Sequence, residues 1–96
     1  MKDIYIFHLG KGAAPEYAEA QMILAVVAVE CLLGKAAVRI GVRYALNRGK
    51  NAMVIESTNE AGEALARVFT GFLIRVFGET AFKVEHTSIA PKAGAA

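Results

Sequence analysis

Residues 20–29 form the longest stretch of this chain without a charged side chain, and from Met22 onward the stretch is apolar on every side. Such a segment has no face that suits water, whether it folds as a strand or as a helix, and so needs cover all round. It is only half of the roughly 20 residues required to cross a bilayer, so no transmembrane segment is expected. Its valines and isoleucine suit a buried strand at 22–29 preceded by a loop. Pro15 at a first helical position, with Glu16 and Glu19 behind it, suits instead a helix over residues 15–33. Periodicity does not separate these two readings; the strand is favoured and the helix remains open.

The flanking segments have clearer periods. Residues 2–9 read as a strand with two apolar faces, Ile4 and Ile6 on one and Tyr5, Phe7 and Leu9 on the other; Gly10, Gly12 and Pro15 then end it. Residues 32–48 read as a helix in which Val38, Gly41, Val42 and Ala45 form an apolar stripe and Lys35, Arg39 and Arg43 recur every four residues. Gly49 stands at its expected C-cap. Residues 51–57 alternate as a strand, with Met53 and Ile55 on one face. Ser57 and Glu60 have capping-box spacing ahead of a helix whose core stripe runs through Ala61, Leu65, Phe69, Phe72, Leu73 and Phe77 to a stop at Gly78. Residues 80–88 alternate dry Phe82 and Val84 with wet Lys83 and Glu85, and residues 90–96 read as a flexible tail.

At 96 residues the chain is read as a single α/β domain over 1–96, a two-layer sandwich with a small mixed sheet and helices on one face. The second sheet face is left to be covered by self-association. One cysteine, Cys31, excludes an internal disulfide framework, and with no secretory leader evident a cytoplasmic location is expected. A formal charge of +2 is too small to indicate nucleic acid by itself.

Over residues 22–89 the order of elements resembles the core of the Alba nucleic-acid-binding proteins and of stage V sporulation protein S, with an added N-terminal strand and loop at 1–21. The resemblance is carried by the hydrophobic strand before the first helix and by Tyr44-Ala-Leu-Asn-Arg-Gly49. Met53-Val-Ile-Glu-Ser57 and the helix start Ala61-Gly-Glu-Ala-Leu65 complete it. It implies binding of DNA or RNA. Alba proteins place lysines in the loop after that strand, where this chain has Glu30-Cys-Leu-Leu-Gly34 with Lys35 beside it. Where they carry arginines at the entry to the second helix, it has Ser57, Thr58, Asn59 and Glu60.

The charge pattern adds its own indication. Lys35, Arg39, Arg43, Arg48 and Lys50 follow one another with no acid between Cys31 and Ile55, a ladder suited to phosphate oxygens without base discrimination. Lys11, between two glycines, offers a further cation. Neither Gly10-Lys11-Gly12 nor Gly34-Lys35 matches a nucleotide loop, since Val29 and Ala36 stand where a phosphate loop needs Gly and Ser or Thr. His8, His86 and Cys31 lack metal-ligand spacing; the histidines read as sheet-edge hydrogen-bonding groups and the cysteine as a buried thiol. No catalytic residue, metal, cofactor or small-molecule substrate is therefore expected. The expected function is low-specificity contact with DNA or RNA phosphates by a homo-oligomer through Lys11, Lys35, Arg39, Arg43, Arg48 and Lys50. The alternative is a self-assembling structural or regulatory module that does not bind nucleic acid.

Overall fold

A computed structural model describes residues 2–89; the tail expected at 90–96 lies outside the described residues. The chain forms strand β1 (Lys2–Leu9), helices α1 (Pro15–Leu33) and α2 (Lys35–Gly41), strands β2 (Val42–Asn47) and β3 (Ala52–Ser57), helix α3 (Glu60–Phe77) and strand β4 (Phe82–Ile89). The four strands pair in the order β2-β3-β1-β4 and every pairing is antiparallel, which corrects the expected mixed sheet. Each crossover from β1 to β2 and from β3 to β4 leaves room for a strand of the other unit, the split-βαβ topology of ferredoxin-like domains.

The largest correction concerns residues 15–48. The segment favoured as a strand at 22–29 is the middle of helix α1, and the segment read as one helix at 32–48 is α2 followed by β2. Pro15 sits at the start of α1 with its missing N–H at no cost, and Glu16 lies in the first turn. Ala18, Met22, Ala25 and Val29, spaced at helical intervals, enter the core. The all-round apolarity arises because the opposite face of α1 is apolar too, not because a sheet covers the segment. In β2, Val42, Tyr44 and Leu46 face the helices opposite Ser57, Ile55 and Met53 of β3, and this pairing outweighs the helical spacing of Val38, Val42 and Ala45. Gly49 is consequently part of the β2–β3 turn rather than a helix cap. Two of the segments that carried the Alba resemblance thus take another form, while Met53–Ser57 is strand and Ala61–Leu65 is helix as read.

Helices and sheet share one core. Phe7 and Leu9 of β1, Met53 and Ile55 of β3, Phe82 of β4, and Leu65, Phe69 and Leu73 of α3 are buried together with the α1 stripe. The rings of Phe7 and Phe69 meet edge to face, 4.8 Å apart and at 75°. Phe72 and Phe77, expected on the same stripe, are partly buried at its border.

The start of α3 holds α2 in place. The expected capping box does not form: Asn59 is the cap, its Oδ1 accepting from the N–H groups of Ala61 at 3.0 Å and Gly62 at 3.3 Å. Its Nδ2 donates to the carbonyl of Ala37 at 3.0 Å, and Ser57 Oγ donates to the Asn59 carbonyl at 2.8 Å. Gly41 permits this contact, because a Cβ there would overlap the Asn59 side chain. Asn59→Ala is therefore expected to cost about 1–3 kcal/mol, the sum of a lost cap and a lost hydrogen bond. Asn59→Asp, which keeps the acceptor and loses the donor, should cost less; equal urea midpoints for both variants and the wild type would contradict the assignment.

Candidate interaction surfaces

The six cations expected to contact phosphate are all exposed, but they do not form one ridge. Lys35 and Arg39 share the outer side of α2. Because the helix stops at Gly41, Arg43 lies on β2 opposite Glu56, on the sheet face away from the helices. Lys11 and the β2–β3 turn carrying Arg48 and Lys50 gather at the other end of the sheet. There Leu9 N–H donates to the Asn51 carbonyl at 2.9 Å, and Asn51 Nδ2 donates to the Leu9 carbonyl at 3.1 Å. Arg48 is 3.8 Å from Glu19; among the described residues the other five make no ion pair. The ladder is thus two cationic clusters at opposite ends of the molecule.

The sheet face away from the helices has an apolar centre of Ile4, Ile6, Ala45, Ala52 and Val54. On its rim Lys2 pairs with Glu56 at 3.2 Å and His8 Nε2 lies 2.8 Å from Glu85 Oε1, while Arg43 and Lys83 make no ion pair among the described residues. An open groove of about 810 Å³ wraps the edge strand β2, lined by residues 43–48, Tyr44 and Leu46 among them, with Val54 and Glu56. Ile4, Ile6 and Val54 are only partly exposed, as on an antiparallel sheet with one solvated face.

Helix α1 is different. Ile23, Leu24 and Val27 lie opposite its buried stripe and are 54%, 55% and 51% exposed. Ala20 and Cys31 continue this face, so the thiol expected to be buried is exposed. Glu16, Glu19 and Glu30 flank the face. At its border a shallow cleft of about 250 Å³ opens between α1 and α3, lined by Gln21, Leu24, Phe72, Arg75 and Val76. The apolar outer face of α1 thus adjoins a cleft wide enough for a side chain.

A polar cluster closes the β4 side. Asp3 Oδ1 accepts from Ser88 Oγ at 2.6 Å and lies 3.1 Å from His86 Nε2, while the His86 ring stacks on Tyr5 at 4.4 Å. The Ser88 hydrogen bond, followed by that of His86, holds the Asp3 carboxyl below its ordinary value of 3.8. Partial burial pushes the Tyr5 hydroxyl up. Both histidines are hydrogen-bonded to carboxylates, though His8 is on a central strand rather than an edge. The Asp3 shift bears on stability. A carboxyl depressed on folding stabilises the protein above its unfolded pKa, and this contribution is lost as pH falls through the folded value. Ser88→Ala is expected to raise the Asp3 titration midpoint in a carboxyl NMR titration and to shrink the stability loss below about pH 4. An unchanged midpoint would contradict it.

Among the described residues no group of three or more His, Cys, Asp or Glu could hold a metal ion, and no helix is long and apolar enough to cross a membrane. The apolar outer face of α1 corresponds to the all-round apolarity of residues 22–29 in the sequence, which does not by itself say which residues face outward. No family model and no curated protein sequence matches the chain.

Proposed function

We propose that the chain is a self-associating domain, working as a structural or regulatory module in which a second copy covers the outer face of α1. The observation that carries this reading is the all-round apolarity of α1: one face is used in the core, and Ile23, Leu24 and Val27 remain about half exposed on the other. Full burial of such side chains is worth about 1.5–3 kcal/mol each, so completing it contributes roughly 1 kcal/mol per side chain. An isologous contact gains every such term twice, which is how a small patch reaches useful affinity. The α1 face is preferred over the open sheet face because Ile4, Ile6 and Val54 are better screened on the sheet than Ile23, Leu24 and Val27 are on α1. Light scattering of the wild type at micromolar concentration tests the reading: a mass of two chains or more supports it, and a stable single-chain mass overturns it.

A second reading is favoured by a separate observation, the acid-free run from Cys31 to Ile55 with its exposed cations. In it the protein contacts DNA or RNA phosphates without base discrimination, as an oligomer bringing several cationic clusters to one strand. The sheet face offers no aromatic platform, since β1 and β3 present Ile4, Ile6, His8, Ala52, Val54 and Glu56 there, so base stacking has no part in it. Lys35→Ala with Arg39→Ala is expected to weaken binding to DNA and RNA of any sequence and to lower the salt slope by about two. Absence of wild-type binding at low salt would remove this reading and leave the first intact.

A further inference from the structure

The corner where α1 turns into α2 is built differently from both surfaces above. Gly34, at φ 92°, breaks α1 at Leu33 and restarts the chain as α2. Residues 31–36 are exposed without interruption. Two side chains here are the most exposed large apolar groups of the described chain, Ile40 at 82% and Leu32 at 77%. Helical spacing places Lys35 and Arg39 along one side of the outer face of α2, and Ala36 and Ile40 along the other, while Val38 and Gly41 are buried. Arg43 lies beside Ile40 around a shallow depression that also includes Lys2.

The surrounding charges make the corner net cationic. Lys35, Arg39 and Arg43 have no ion-pair partner among the described residues. Three acids lie nearby. Glu30 is partly buried one turn before the end of α1, Glu56 is paired with Lys2 at 3.2 Å, and Glu60 opens α3 next to the cap residue that holds Ala37. Glu56 stands across from Arg43 on the sheet, none of the three acids is within ion-pair distance of Lys35, Arg39 or Arg43, and with Lys2 the corner holds four cations against three acids, a net of +1. A phosphate backbone would use those cations but gains nothing from Leu32 and Ile40, which stand out into water. A lipid headgroup layer uses both: acidic headgroups take the cations and the acyl boundary takes the aliphatic tips.

We propose that this corner is a docking surface for an anionic lipid bilayer, with Leu32 and Ile40 entering the headgroup–acyl boundary and Lys35, Arg39 and Arg43 lying against acidic headgroups. Binding is peripheral and reversible, since only two side chains insert. The outer face of α1 does not share this role, because Glu16, Glu19 and Glu30 flank it and an anionic surface repels them.

The test is co-flotation of the full chain with vesicles of phosphatidylcholine alone and of phosphatidylcholine with phosphatidylglycerol, alongside duplex DNA as a competitor. The wild type is expected to float with the phosphatidylglycerol vesicles, not with phosphatidylcholine alone, and to be released by salt. Leu32→Ser with Ile40→Ser should lower vesicle binding at least about tenfold, and each of Lys35→Gln and Arg39→Gln about fivefold. All four positions are exposed, and an unchanged far-UV circular dichroism spectrum identifies variants that are folded. No flotation with phosphatidylglycerol vesicles at low salt overturns the proposal, as does vesicle binding indifferent to the Leu32 and Ile40 changes. Binding of duplex DNA without vesicle binding would assign the cations to nucleic acid and overturn it equally.

Discussion

Replacing Phe69 with Ala is expected to remove about 3–5 kcal/mol of stability, the largest loss from any single truncation considered for this fold. Phe69 is fully buried and its ring meets Phe7 edge to face at 4.8 Å, so the cavity would open where α3 lies on the central strand β1. Neighbouring Leu65 and Leu73 are also buried, fixed on the same helix, and cannot move in to fill it. A domain of this size has about 5–15 kcal/mol in total, so the variant should lie close to unfolding, with Tm lowered by at least about 12 °C. Urea unfolding at one fixed protein concentration measures it, because any self-association adds a concentration-dependent term. A loss below about 1 kcal/mol would mean that the α3–β1 contact is not the centre of the core.

The second large effect is expected at Val27, in the opposite sense: assembly is lost and the fold is kept. Val27 is 51% exposed on the outer face of α1, away from Ala18, Met22, Ala25 and Val29, and glutamate is a good helix former. Val27→Glu should therefore leave the unfolding of a single chain nearly unchanged. In an assembly that covers α1, the new carboxylate would be buried without a partner, at a cost of roughly 3–5 kcal/mol. At tenfold per 1.4 kcal/mol, association should weaken at least about a hundredfold. Ala45→Glu, on the edge strand β2 of the open sheet face, places the same charge on the competing surface and should leave the mass unchanged.

How much of this was legible in the sequence depends on which period each segment carries. Residues 60–77 have one strong helical period, and residues 2–9, apolar on both faces, are short, β-branched and aromatic and followed by glycines; both elements appear where these signals put them. Residues 22–29 have no period, because α1 is apolar on its core face and on its outer face alike, and local pattern cannot say whether a sheet or a second molecule provides the cover. Residues 42–47 carry a period of two in Val42, Tyr44 and Leu46. It is masked by Val38, Gly41, Val42 and Ala45, which also fit a helix, and only pairing with β3 decides between them. That decision moved Arg43 from a helix to the sheet and divided the cationic ladder, so the candidate site changed with it. Asn59 was hidden for a related reason: Ser57 and Glu60 have capping-box spacing, but α3 begins so that Asn59 occupies the cap.

Sedimentation equilibrium of wild type, Val27→Glu and Ala45→Glu over the micromolar range decides whether a second copy covers the outer face of α1. Wild type and Ala45→Glu are expected to sediment as the same assembly of two or more chains, and Val27→Glu as a single folded chain. A wild type that remains a single chain throughout, or an assembly that survives Val27→Glu and dissociates with Ala45→Glu, would contradict cover of α1 by a second copy.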